Sequence, residues 1–511
     1  MNFLLKTLFI LLNYFVFVPN SNINFLFTYA ADSVELNLDQ ELKQGNILLG
    51  IKQYIGREGN EIVDNQFLIF TTKNQLMELE SANGINHKSN ELKIILKKVL
   101  LDSPVIIKRF VLGPFASYES AFKQSVILQG FGYESEVAYP SDWEVWLPYE
   151  TNFIEENNFQ LQIIRNDYEL VPFLENDYIS QKLEGPISII SKEDIKINNK
   201  DYGRYFYLVK DSYGSWTLVQ KIAFDDYLMG VLPHEIGANS PLEALKAQAV
   251  IARTWAFYNS NRFEIDSYHL CITTQCQVYK PISSPGENII RAISETSNLI
   301  LTFDGQPINA FYHASNGGIS ATASESWQMD DYSYFQPQFD FRGNDQILFN
   351  IPLDKDNNLE EFLEINRNNF FGKDHYLFRW EKVISNEYLK QILLNLQLIQ
   401  SESSVVSVEI LERGLSGRVT KLRIILKKPS QEIILLKDDI RKMFSFLPSN
   451  LFIIDKKDDD LWNFKGGGFG HGVGLSQSGA IEMAENGFSF ERILDHYYQG
   501  TNIMNIEEFK Y

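Results

Sequence analysis

One glutamate stands where two helices are expected to meet. Asp225–Leu232 has a helical pattern, with Asp225 as its expected cap, and it runs into Leu232-Pro233-His234-Glu235. Shortly after, Ser240-Pro241-Leu242-Glu243 reads as a helix start. Ser240 can cap, Pro241 fits the first helical position and Glu243 can reach back to close a capping box. A carboxyl held at such a junction is partly stripped of water. Desolvation disfavours its charged form, raises its pKa and suits it to general-acid work near neutral pH. Spacing alone leaves a plainer reading open, that of a solvated loop glutamate. Glu243 is assigned to capping rather than to chemistry.

Other candidates fall in three segments. His313, Ser315 and Asn316 close the apolar run Ile308–His313 and precede Gly317-Gly318. Such a turn either presents polar side chains to a groove or is simply structural. Gly466–Gly474 is glycine-rich, but no Gly-Lys-Ser/Thr follows, which argues against a phosphate loop. Its glycines would allow tight turns or the close approach of a sugar. Within it His471 is a candidate for substrate contact, the alternative being a buried, hydrogen-bonded histidine. Ser476 is expected to cap the next helix, and Gln477 is a candidate to orient a substrate hydroxyl. His269, Cys271 and Cys276 include the chain's only two cysteines. They fit a disulfide, a weak zinc site with no evident fourth ligand, or free thiols.

The elements that must carry these residues are mixed. Residues 31–75 read as short strands, among them Gly45–Tyr54 and Gln66–Thr72. Residues 76–150 read as a separate α/β unit: a strand at Val105–Val111, a helix at Ser117–Gln129 capped by Ser117, and a returning strand over 133–147 with Trp143 and Trp146. Short strands return over 185–225, the helical pair follows, and strands recur at Asn298–Phe303 and Ile308–His313. The pattern predicts an α+β fold, with helices packed on antiparallel strands and a smaller insertion near the N-terminus. The helix Ala244–Tyr258 carries small residues on one face, which favours close packing.

The whole chain, 511 residues with 44% hydrophobic and 14% aromatic residues, is long enough for two or three folded domains. Its formal net charge of -20 repels phosphate backbones, so nucleic acid is not an expected partner. Lys6, the apolar run Thr7–Val18, Pro19 and the site Thr28-Tyr29-Ala30 read as a signal peptide over 1–30, with an uncleaved anchor as the alternative. An exported protein, in the periplasm or cell-wall space, is expected, with no stable membrane span once the signal is removed.

Four ordered blocks over roughly 185–500 resemble the stage II sporulation protein D family, which includes proteins called amidase enhancers. The first runs from Asp226-Tyr227-Leu228 through Glu235 to Pro241–Val250 and Ala252-Arg253-Thr254. The second is Thr274–Tyr279, and the third Ala310–Gly318 with Trp327. The fourth is Gly468–Gln477 with Gly479-Ala480, continuing to His496-Tyr497-Tyr498. The resemblance implies a lytic transglycosylase that cuts peptide-free glycan strands, with Glu235 at the place of the family's catalytic glutamate. Tyr312, His313, Ser315, Asn316, His471 and Gln477 become substrate-binding candidates. No cofactor is implied beyond the zinc that some relatives hold, for which His269, Cys271 and Cys276 are weak candidates. Residues 76–150 would be an insertion resembling a glycan-binding SPOR domain, through Val111–Ser117, Ala121 and Gly130-Phe131-Gly132, and 151–511 the remaining core.

A transglycosylase can work with one carboxylate. Protonated, it gives its proton to the oxygen between N-acetylmuramic acid and N-acetylglucosamine. Ionised, it takes a proton from the muramic C6 hydroxyl, which closes onto C1 to give a 1,6-anhydro end. The sugar brings its own nucleophile, so proximity replaces a second acid. Two other functions fit the same blocks: a non-catalytic enhancer of a cell-wall amidase, or a glycan-binding module.

Overall fold

The computed structural model describes residues 36–508 except 60, 152–157, 283, 343–351 and 459. The expected signal peptide at 1–30 lies outside the described residues. Among the described residues no helix is long and apolar enough to cross a membrane.

Two sheets and a layer of helices share one core, as the α+β reading expects. The seven-stranded sheet runs in the order Leu270–Cys271, Asn46–Ile55, Trp216–Ala223, Tyr205–Lys210, Ile187–Ile190, Met77–Ser81 and Asn86–Ser89. Its second and third strands pair antiparallel, from Asn46 opposite Ala223 to Ile55 opposite Trp216. Apolar side chains of the second sheet, Leu68, Phe70, Leu92, Ile94 and Leu170, meet Ile47, Leu49, Ile187 and Leu218 of the first in a common core. Helix residues Tyr227, Leu228, Leu245 and Ala249 close it from the other side. Burying such side chains contributes about 1.5–3 kcal/mol each relative to exposure, which fixes which faces turn inward.

The expected boundary at residue 76 does not appear as a break. Met77–Ser81 and Asn86–Ser89 are strands of the core sheet. The following strand, Glu91–Phe115, is 25 residues long. Its first part pairs with Gln66–Thr71 and its last part with Trp143–Pro148, while Gln160–Glu175 pairs along most of it. One continuous β-prone run therefore joins the core to the inserted unit. The helix Tyr118–Gly130 sits on that unit with Ser117 accepting from Ser120 N–H, as the sequence predicts.

Residues 353–466 form a further lobe with its own core. Ser404–Arg413, Val419–Lys427 and Gln431–Leu436 make one three-stranded sheet, and Trp380–Ser385, Phe452–Lys456 and Leu461–Gly466 another. Leu389, Leu422, Phe444 and Phe464 bury against each other between them.

Candidate active site

The helical pair exists, with different ends than expected. The first helix is Phe224–Leu232, and its cap is Ala223. Asp225 is spent elsewhere: it accepts from Arg253 Nη2 (3.0 Å) and Ser297 Oγ (3.0 Å). Arg253 also donates to the Thr296 and Leu299 carbonyls at 2.8 and 3.1 Å, so one buried guanidinium ties the second helix to the first and to the strand behind it. That second helix is Leu242–Tyr258, and it starts on Pro241 without a side-chain cap. Ser240 Oγ turns back to Ile236 O (2.8 Å), and Glu243 bonds Lys246 (2.8 Å) and the Phe490 N–H (2.9 Å). The capping box is absent because Ser240 bonds back into the preceding turn and Glu243 is taken by Lys246 and the distant Phe490 N–H. Ala244, Ala247, Ala249, Ala252 and Ala256 are fully buried, as close packing requires.

Between the helices lies a five-residue π-helical turn, Pro233–Gly237. Wide turns of this kind concentrate at functional sites because they displace a side chain from its regular position. Here the displaced side chain is Glu235. Its Oε1 accepts the Val278 N–H at 2.7 Å, and the Tyr312 hydroxyl also donates to it. Burial pushes its carboxyl above the usual range, and these two hydrogen bonds pull back only part of the way. Gln277 completes the surround. It accepts from Tyr227 O–H at 2.7 Å, bonds Tyr312 and donates to Ala252 O at 3.4 Å. The result is a part-buried acid held in one orientation by neutral groups, with burial raising its pKa above the usual carboxylate range.

Tyr312 reaches this acid because it opens a short strand, Tyr312–His313, that pairs in parallel with Leu475–Ser476. His313 points to the opposite face, as alternation along a strand demands. It is buried, and its Nδ1 lies 3.2 Å from Val473 O. His471 packs against it with ring centroids 5.2 Å apart. His471 Nδ1 accepts the Val473 N–H (3.1 Å), so Nε2 carries the proton and donates to Tyr312 O (2.8 Å). Burial lowers the pKa of His471 to about 3 and that of His313 well below the ordinary value, so both stay neutral.

The other polar residues of these blocks also face inward. Ser315 is buried, and its backbone pairs with Phe469. Asn316 donates to Asp340 (2.9 Å) and accepts the Gly318 N–H (2.8 Å). Asp340 is gripped in addition by His496 and Tyr497, both at 2.8 Å. Gln477 donates to Gln248 Oε1 (3.3 Å) across the helix interface, and Ser476 caps its helix as expected. The glycine loop lies on the chain's own backbone. A Cβ on Gly474 would sit 2.0 Å from Phe311 O, and one on Gly472 2.2 Å from Arg418. Of the two expectations for these glycines, tight turns and the close approach of a sugar, the described contacts are tight turns against protein.

Cys271 and Cys276 form a disulfide with Cα atoms 5.7 Å apart. Both ring nitrogens of His269 are engaged by backbone, Nδ1 by Leu48 N–H (2.9 Å) and Nε2 by Leu38 O (3.1 Å). Among the described residues no three His, Cys, Asp or Glu side chains are grouped to hold a metal ion. The donors of the triplet therefore do not fit zinc as they stand.

Several positioning residues escaped the sequence reading. Tyr227 and Gln277 lie inside the recognised blocks, so their place beside Glu235 had a local signal. Arg418 had little. It comes from the 353–466 lobe, is fully buried, and donates to Asn316 O and Ile319 O at 3.0 Å each, pinning the turn that follows His313.

Residues 212–303 match the family model described as stage II sporulation protein, and residues 321–474 match a domain of unknown function, DUF8618. An uncharacterized protein of Brachyspira hyodysenteriae is 28% identical over 296 residues, covering 56% of this chain and 68% of its own length. The amidase enhancer of Bacillus subtilis is 28% identical over 298 residues, but the match spans only 40% of that protein. Stage II sporulation protein D of Bacillus amyloliquefaciens is 26% identical over 321 residues, with 77% of its length covered.

Proposed function

Since this chain belongs to the stage II sporulation protein D and amidase-enhancer family, we propose that it remodels the cell wall as a lytic transglycosylase. It would cut peptide-free glycan strands between N-acetylmuramic acid and N-acetylglucosamine, outside the cytoplasm. The observation that carries this reading is Glu235: a carboxyl with a raised pKa, fixed by the Val278 N–H and the Tyr312 hydroxyl. Protonated, it donates to the bridging oxygen as the C1–O bond breaks. Ionised, it accepts the proton of the muramic C6 hydroxyl as that oxygen bonds C1. Tyr312 and Val278 stabilise the anion between the two steps. No second acid is required, because the nucleophile belongs to the substrate.

The second reading is a non-catalytic enhancer of a cell-wall amidase, favoured by the name of the Bacillus subtilis relative. Incubation with peptide-free strands separates the two. Mass spectrometry of products one water lighter than hydrolysis would give supports the enzyme. Intact strands together with acceleration of an added amidase support the enhancer and sink the first reading.

A further inference from the structure

The Val278 N–H that holds Glu235 sits at the end of a short loop, and that loop is tied to the inserted unit. The loop leaves the seven-stranded sheet at Leu270–Cys271, which pairs in parallel with Leu49 and Gly50. It returns at Tyr279, whose N–H donates to Ile272 O (3.3 Å) and whose ring stacks on Tyr227 with centroids 5.7 Å apart. Residues 272–278 between these points form neither strand nor helix. A loop can hold another group in one place only when its own backbone is fixed by neighbours.

Three contacts fix it. The Cys271–Cys276 disulfide closes the loop across its neck. Trp143 of the inserted unit, almost wholly buried, donates from Nε1 to Gln275 Oε1 (2.8 Å). Arg262 is buried just beyond the second helix. It donates from Nη1 to Gln275 O (3.0 Å) and pairs through Nη2 with Glu119 (2.5 Å), in the first turn of the helix Tyr118–Gly130. Its guanidinium lies 4.2 Å from the centre of the Tyr118 ring, which adds a cation–π contact to the same unit. Apolar packing follows the same route, for Cys271 and Phe263 bury in one cluster with Tyr118, Leu128 and Trp143, and Cys276 packs on it. Gln275 is thus gripped at its side chain and at its carbonyl by groups that belong to the inserted unit or are anchored on it. Gln277, which holds Tyr227 and Tyr312, and Val278, which holds Glu235, follow directly.

We propose that Trp143 and Arg262 are positioning residues for Glu235: by gripping Gln275 in the disulfide-closed loop they keep Gln277 and the Val278 N–H in place, so the inserted unit helps to set the acid. The inference takes from the proposed function only that Glu235 is the working carboxyl. The Val278 and Tyr312 bonds favour its ionised form. A loosened loop weakens them and pushes the Glu235 pKa higher still.

The test is a carboxyl-carbon NMR titration of the full chain labelled at glutamate, with the Glu235 signal assigned by its loss in Glu235→Gln. Trp143→Phe keeps a ring in the cluster and removes the indole donor. Gln275→Ala removes the acceptor. Arg262→Lys removes the fork that spans Gln275 and Glu119. Each is expected to move the Glu235 midpoint to higher pH, and Cys271→Ser with Cys276→Ser to move it furthest. Ile163→Thr, at an exposed position of the inserted unit, should leave it in place. The double variant Trp143→Phe with Gln275→Ala should shift no further than Gln275→Ala alone, because the indole acts through that side chain. An unmoved midpoint in a folded Trp143→Phe or Arg262→Lys protein overturns that residue's role. An equal shift in Ile163→Thr, or additive shifts in the double variant, overturns the route through Gln275. Where a buried variant does not fold, Gln275→Ala decides alone, and an unmoved midpoint there overturns the proposal. On peptide-free strands, kcat of Trp143→Phe is expected to fall on the order of tenfold with KM within about twofold, as for a displaced acid. If strands are never cut while the midpoints shift, the transglycosylase reading fails and this one stands. If strands are cut while the midpoints stay, the reverse holds.

Discussion

Two regions hold most of the recognisable motif residues, and they use them in opposite ways. Around Glu235 the chain widens a helix into a π turn, part-buries an acid and surrounds it with neutral donors. Around the glycine loop it buries His313, Ser315 and Asn316, encloses His471, and turns most of their polar groups onto backbone or Asp340. The first region keeps reactive capacity open; the second consumes most of its own, though His313 Nε2 and Ser315 Oγ stay buried without a hydrogen-bond partner. Polar motif residues at high density therefore mark two different things, a candidate site of chemistry and the brace that holds it. The two meet at Tyr312, whose side chain serves the acid and whose carbonyl serves the brace.

Breaking the brace should cost the most. Gly474 has φ +70 and no room for a Cβ beside Phe311 O. Gly474→Ala is expected to destabilise the protein by about 3 kcal/mol or more, through strain and displaced backbone. Chemical denaturation would read this directly. A Gly474→Ala midpoint equal to that of the unchanged protein would deny the loop its structural role.

Acid should act next, on the buried histidines of the brace and beside the Cys271 strand. The folded pKa values of His471 and His269 lie at about 3 and 4, below the ordinary 6.5, so the unfolded chain binds protons that the folded chain refuses. Stability present above pH 6.5 is thus lost as pH falls towards 4 and then 3. Each histidine contributes at most about 1.4 kcal/mol per pH unit across its own window. Glu235 has the opposite sign. Its raised pKa means that its charged form opposes folding, so its contribution declines as pH rises through the carboxylate range. Denaturation midpoints between pH 3 and 7 should fall on the acid side, and Glu235→Gln should not remove that fall. A flat profile would contradict the buried neutral histidines.

The finest test lies at the shared residue. The Tyr312 hydroxyl favours the ionised form of Glu235, so Tyr312→Phe should raise the Glu235 pKa further. The alkaline limb of any Glu235-dependent activity should move to higher pH, with the fold retained. An unmoved limb would mean that Tyr312 does not act through Glu235.

Much of this was legible in the residues. The helical pair, the Ser117 and Ser476 caps and the mixed fold follow from local patterns, because caps and periodicity act over a few residues. The assigned capping box at Ser240 and Glu243 did not form, because Glu243 is taken by Phe490, 247 residues away in sequence. The expected break at residue 76 failed for a similar reason. A long strand can belong to two units at once, and only pairing partners reveal that. Arg418 and Asp340 brace the site from segments outside the four recognised blocks, so their roles exist only in three dimensions.

The central claim is that Glu235 performs both proton transfers. Peptide-free glycan strands incubated with the unchanged protein and with Glu235→Gln, followed by mass spectrometry of the released ends, address it most directly. The unchanged protein is expected to give 1,6-anhydro ends, and Glu235→Gln to lose about 10²–10⁴-fold in their rate at equal thermal stability and equal glycan binding. Anhydro ends appearing at an undiminished rate with Glu235→Gln would contradict it.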